Sequence, residues 1–82
     1  IETFRNLQLA YDALEKGGNA PCILNAANEV VVAAFLKDNV GFLQMSDIIA
    51  DTLQKCTFVK HPKIEDYIAS DAEARRITID NI

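Results

Sequence analysis

The 82-residue sequence contains no tryptophan, three glycines, two prolines and two cysteines. With half of its residues hydrophobic, so little glycine and proline argues against disorder or low complexity. Two cysteines cannot form the dense disulfide framework of a small secreted domain, so we expect Cys22 and Cys56 to be reduced, buried thiols in a cytoplasmic protein. The longest apolar run is shorter than the ~20 residues that cross a bilayer. We therefore expect one small, folded domain without a membrane partner.

Chemical motifs are also scarce. The chain has no glycine-rich phosphate loop, CxxC, HExxH or nucleophile elbow. Its lone histidine, His61, precedes Pro62 in a polar stretch typical of a surface loop rather than of a catalytic or metal site. Glu65 and Asp66 would point about 100° apart on a helix, so these two carboxylates would not face one site. Twelve acidic residues against eight basic ones give a net charge of −4 with no basic patch, so nucleic acid is an unlikely partner. We predict no catalytic, cofactor-binding or metal-binding residue.

What the sequence does contain is helical periodicity. The first predicted helix ends at Gly17-Gly18, where glycine can adopt the left-handed conformation of a C-terminal cap. Leu9 lies off its main apolar stripe, and we expect Leu9 to touch something outside this chain. The residues predicted to face the core are Phe4, Leu7, Ala10, Tyr11 and Leu14.

The second predicted helix runs from Cys22 or Asn25 to Lys37, and Pro21 is suited to open it. Residues 30–36 are all apolar, which predicts a central helix buried by its neighbours. Its polar residues, Asn25, Asn28 and Glu29, gather at the N-terminal end. They allow two interpretations: Asn25 caps the helix and the group is partly exposed, or the group contacts another domain.

Two further helices are predicted. Ser46 is a candidate N-cap for a third helix over 47–55, followed by a non-helical stretch over 57–62. Residues 64–69 could form a short helical turn, and the capping box that begins at Ser70 predicts a fourth helix from Asp71. The sequence therefore predicts an all-α fold, a small four-helix bundle or orthogonal helical array. The predicted core residues are Leu14, Val31, Phe35, Ile48 and Leu53.

The pattern LNAANEVVVAAFL over 24–36 resembles the C-terminal helical domain of the 1-deoxy-D-xylulose 5-phosphate reductoisomerases. The resemblance continues over 5–10, in the Ser-Asp-Ile at 46–48 and in the SDAEAR stretch at 70–75. It implies a family of three-domain enzymes that convert 1-deoxy-D-xylulose 5-phosphate to 2-C-methyl-D-erythritol 4-phosphate in non-mevalonate isoprenoid synthesis. Those enzymes use NADPH and a divalent cation (Mg, Mn or Co), both held by the first two domains.

Under this resemblance, residues 1–82 are a single helical domain excised from the C-terminal end of a bacterial enzyme. The start at Ile1 rather than Met fits that expectation. Its partners would be the N-terminal and central domains of a homodimeric parent, and the chain alone would be inactive. The alternative is a free-standing helical interaction module. An excised domain should leave a flat patch that includes Leu9, Asn25, Asn28 or Glu29, whereas a module should display a long groove.

Overall fold

The fold consists of four α-helices joined by short connections. The computed structural model describes the backbone of residues 2–82 and the side chains of residues 5–82. A single 3₁₀ turn, Phe42–Gln44, precedes the third helix, and no strand occurs over 2–82. The all-α prediction is therefore confirmed. The helices are α1 (Glu2–Lys16), α2 (Ala20–Leu36), α3 (Met45–Lys55) and α4 (Ile64–Asp80).

Helix α2 is the centre of the fold, because it packs against α1, α3 and α4. Alanine accounts for much of its buried face, and Ala26 meets the equally buried Ala74 of α4 in one core cluster. Such small side chains let two helices approach closely. The predictions of a central second helix and of Val31 as a core residue are confirmed, but Phe35 is 36% exposed. The buried residues of α2 are Ala20, Ile23, Ala26, Ala27, Val31 and Ala34.

The orientation predicted for α1 is wrong. Ala13 is buried and Leu9 packs against the core, whereas Leu7, Tyr11 and Leu14 are 61%, 60% and 69% exposed. The helix carries apolar residues on two neighbouring faces, so periodicity alone could not select the inward one. The small Ala13 turns toward the rest of the domain, and the larger side chains remain outside. The prediction for Phe4 lies outside the described side chains.

All three predicted N-caps are wrong, because each residue lies within its helix rather than at its start. Asn25 lies in the second turn of α2, because this helix begins at Ala20 with Pro21 in its first turn. Ser46 lies inside α3, where its hydroxyl donates to Oδ1 of Asn6 on α1 at 2.6 Å. Ser70 lies inside α4, which runs without a break from Ile64. The serines bond to other parts of the chain instead of capping their own helices.

Asn19 links the α1–α2 connection to the stretch between α3 and α4. Its side chain is fully buried, and its Nδ2 donates to the Thr57 carbonyl at 2.8 Å and to Oγ of Ser70 at 2.7 Å. Its Oδ1 accepts from the Val59 N–H at 2.8 Å, and its own N–H donates to the Val59 carbonyl at 3.0 Å. The preceding Gly18 has φ +57°, and a Cβ there would collide with the Val59 carbonyl oxygen. This junction thus requires both a glycine and an amide side chain.

Helix α3 presents the apolar face that its spacing predicts. Met45, Ile49 and Cys56 are buried, and Ile48 and Leu53 are partly buried against the core. The Ile-Thr-Ile alternation at 77–79 is also typical of a strand, but in the structure these residues are part of α4. A buried hydroxyl pair, Thr52 and Thr78, helps to join α3 to α4, and the two Oγ1 atoms are 3.1 Å apart.

Candidate functional site

The polar group predicted at the start of α2 divides between two surfaces. Asn25, Asn28 and Glu29 are all exposed, as expected for residues on one helix face. Asn25 and Asn28 line a cleft between α1 and α2, whereas Glu29 turns toward α4. Helical spacing predicts that the three residues share one face of α2, but it does not reveal that Arg75 of α4 binds Glu29.

Glu29 belongs to an ionic network that ties α2 to α4. Nη2 of Arg75 donates to Oε2 of Glu29 at 2.6 Å, and Nε of Arg75 donates to Oδ2 of Asp71 at 2.9 Å. The hydrogen bonds that Arg75 donates to Asp71 and Glu29 raise the pKa of its guanidinium further above its ordinary value. Because all three side chains are substantially exposed, this network orients two helices and contributes little to stability.

The cleft that receives Asn25 and Asn28 has a volume of about 390 Å³. One wall is α1, the other is the first half of α2, and Ile49 of α3 contributes to the lining. We call it the α1–α2 cleft. Its lining residues are Asn6, Leu9, Ala10, Leu14, Pro21, Leu24, Asn25, Asn28 and Ile49.

The chemistry of the α1–α2 cleft is apolar and neutral. None of the described residues that line it carries a charge, although 24% of the chain is charged. Its polar groups are three asparagine amides, which offer both donors and acceptors. Oδ1 of Asn6 already accepts from the Ser46 hydroxyl, whereas the side-chain amides of Asn25 and Asn28 make no hydrogen bond within residues 5–82. The cleft differs from the flat patch expected for an excised domain.

Sequence reasoning missed the α1 wall of this cleft. Asn6, Ala10 and Leu14 lie four residues apart and so form one stripe along α1. The sequence signal for this wall was the small Ala10 between Asn6 and Leu14, since a small side chain there leaves room for a cleft. The apolar spacing instead predicts that Leu14 faces the core, so that spacing does not indicate this surface.

The two cysteines are free thiols with raised pKa values. Burial, together with the nearby Glu73 carboxylate, raises the pKa of Cys56 from 9.0 to about 11. Cys56 is buried as predicted, whereas Cys22 in the first turn of α2 is only half-buried. This partial burial also raises the pKa of Cys22, with a smaller contribution from Asp71. Thiols of this kind stay protonated near neutral pH and are poor nucleophiles. His61 is exposed in the connection before α4.

The described residues provide neither a metal site nor a membrane span. No group of three or more metal-ligating side chains comes together among them. No helix in the described part of the chain is long and apolar enough to cross a bilayer.

Comparison with known proteins gives consistent matches over almost the whole chain. The family model of the DXP reductoisomerase C-terminal domain matches residues 1–77. The 1-deoxy-D-xylulose 5-phosphate reductoisomerase of Bacteroides thetaiotaomicron is 61% identical over 79 residues, which are 96% of this chain and 20% of that protein. The enzyme of the same name from Chloroherpeton thalassium is 47% identical over 79 residues, with the same coverage.

A solved structure matches the fold as well as the sequence. The 1-deoxy-D-xylulose 5-phosphate reductoisomerase from Zymomonas mobilis, in complex with NADPH, superposes with a TM-score of 0.83 and 40% identity. The match covers 92% of this chain and 20% of that chain. This chain therefore spans about a fifth of the length of its relatives. With its helices, its sequence and its family match in agreement, the chain belongs to the DXP reductoisomerase C-terminal domain family.

Proposed function

We propose that this chain is the C-terminal structural domain of an enzyme that converts 1-deoxy-D-xylulose 5-phosphate to 2-C-methyl-D-erythritol 4-phosphate. The observation that carries the proposal is the 61% identity to a reductoisomerase over 96% of the chain. The parent enzyme would use NADPH and Mg, Mn or Co, and it would act as a homodimer in the cytoplasm. NADPH is the ligand named for the Zymomonas mobilis structure.

The described residues do not fit either cofactor. A divalent cation needs several oxygen ligands at one point, and no such cluster exists among them. NADPH carries phosphates that bind to cationic side chains or to helix N-termini beside glycine-rich loops, whereas the α1–α2 cleft is uncharged along its described lining. We therefore assign both cofactors to the rest of the parent protein and derive no catalytic step from this chain.

The contribution of this domain would be mechanical. A rigid four-helix unit that packs against a catalytic domain keeps the walls of the active site in position, and such positioning affects catalysis without touching substrate. Val31 and Ile49 provide the rigidity, since both are buried in one core cluster. A free-standing interaction module is the second candidate, because the α1–α2 cleft is a concave, apolar surface.

A domain exchange tests the proposal. Residues 1–82 would replace the corresponding C-terminal segment of the Bacteroides thetaiotaomicron enzyme, and turnover would be followed by the loss of NADPH absorbance. We expect the chimera to be active, and we expect a truncated enzyme without the segment, like residues 1–82 alone, to be inactive. A Val31→Asp chimera is the control for a misfolded domain. Turnover by residues 1–82 alone, or a folded but inactive chimera, would contradict the proposal.

A further inference from the structure

We infer that the α1–α2 cleft is the site at which the preceding part of the parent chain docks, through an uncharged stretch of main chain that carries aliphatic side chains. This inference rests on the proposed function and makes it specific. The family that this chain belongs to is that of a C-terminal domain, and the chain spans a fifth of its relatives' length. In a parent of that kind, further polypeptide would precede this segment.

The composition of the cleft selects the chemistry of its occupant. Leu9, Leu14 and Leu24 supply an apolar surface, and Asn25 and Asn28 supply neutral amides. An asparagine amide pairs equally well with the N–H and the C=O of a peptide group. A charged occupant would meet no opposite charge along the described lining, so its desolvation would go uncompensated.

The exposed surface around the cleft extends the same face. Leu7 and Tyr11 lie on the α1 stripe of Leu14, and all three are at least 60% exposed. Val32 and Leu36 continue the α2 face beyond Asn25 and Asn28. Contiguous apolar surface of this kind, with a neutral polar centre, is typical of a surface that another folded unit covers.

The position of the cleft favours a tethered occupant. Asn6, which lines it, lies near the N-terminal end of α1, so a preceding segment of the parent chain would join this domain close to the cleft. A short tether gives the docking segment a high effective concentration. Another exposed apolar group, Ile64, Tyr67 and Ile68 on α4, is interrupted by the charged Glu65 and Asp66 and includes none of the residues that line the α1–α2 cleft.

Thiol accessibility in the full-length parent enzyme tests the inference. Asn28→Cys places a thiol in the cleft, and Gln54→Cys places one at an exposed amide position of α3. Both variants carry Cys22→Ala, since Cys22 lies on the same tryptic peptide as Asn28. A small maleimide labels the native protein, and peptide mass spectrometry measures the rate at each site. We expect labelling at position 28 to be at least about tenfold slower than at 54, because the thiol reacts only when the interface opens.

Denaturant should make the two rates equal, which checks that the reagent discriminates by access alone. Equal rates in the native parent would overturn the inference. Slow labelling at 28 that recovers when the protein is diluted to monomers would also overturn it, since a second copy would then be the occupant.

The outcome separates this inference from the proposed function. Turnover of the unsubstituted parent is measured independently, so an active parent with an exposed position 28 contradicts only the docking site. A protected position 28 in a parent without turnover contradicts only the activity. In addition, Asn28→Lys should lower the thermal midpoint of the parent while Gln54→Lys leaves it unchanged. Equal effects of the two lysines would refute the docking site.

Discussion

Replacing Asn19 with alanine should destabilise this chain more than its single amide suggests. The substitution removes the acceptor of the Val59 N–H and the donor to Oγ of Ser70. Ser70 is buried and Val59 is half-buried, so water cannot fully replace the lost partner. The third bond, to the carbonyl of the exposed Thr57, can pass to solvent.

The expected magnitude follows from these two groups. A buried polar group without a partner costs about 1–3 kcal/mol, so Asn19→Ala should lower the free energy of unfolding by about 3 kcal/mol. That is a large share of the roughly 4–12 kcal/mol available to a domain of this size. Since 1 kcal/mol shifts the midpoint of such a domain by about 4–8 °C, the midpoint should fall by about 12–24 °C.

Urea and thermal unfolding followed by circular dichroism measure this loss. Asn39→Ala is the matched control, because Asn39 is exposed and its replacement should change stability by less than about 0.5 kcal/mol. Asn19→Asp sharpens the test. The introduced carboxylate keeps an acceptor but is buried, so its folded pKa should rise, and the variant should lose stability as pH increases above about 4. A loss below about 1 kcal/mol for Asn19→Ala would refute the role assigned to this junction.

Three further tests, each with its own substitutions, give separable outcomes. Gly17→Ala should cost about 1–2 kcal/mol for its left-handed backbone, whereas Gly18→Ala should cost clearly more because of the collision described above; equal losses in urea unfolding would contradict this. Arg75→Ala should cause a small loss that high salt abolishes, with Arg76→Ala, which removes only a 3.8 Å pair, as the control. The pKa of Cys56 is about 11 in the folded protein against an ordinary 9.0, so the stability that the protonated thiol contributes is complete below pH 9 and is lost as pH rises to about 11. In thermal unfolding, a Cys56→Ala variant should lack this fall in stability between pH 9 and about 11.

Sequence periodicity was sufficient for the number and type of the helices. It identified the end of α1 at Gly17-Gly18, the apolar face of α3 and the core position of Val31. These features depend on local backbone preference or on one unambiguous stripe, and both can be derived from neighbouring residues. The faces of α1 could not be assigned, because Leu9 and Leu14 lie on different apolar stripes and only the partner helix selects between them.

The predicted caps failed because local and distant hydrogen bonds have the same sequence signature. A serine three residues before an acidic residue predicts a capping box, yet the Ser70 hydroxyl binds Asn19, which is 51 positions away. The real start of α4 had its own signals in Pro62 and in Asp66, whose carboxylate accepts from the Lys63 N–H at 2.9 Å. Glu29 shows the same limit in the candidate site, since only the structure reveals Arg75 as its partner.

The Asn19 junction has a consequence for how the chain opens. Val59 lies outside regular secondary structure, yet Asn19 engages both its N–H and its carbonyl, much as a neighbouring strand would. Breaking these bonds requires the α1–α2 connection to separate from the connection between α3 and α4. The Val59 amide should therefore exchange its hydrogen with solvent as slowly as amides in the centre of α2. A residue in a loop would report the cooperative unfolding of the whole domain.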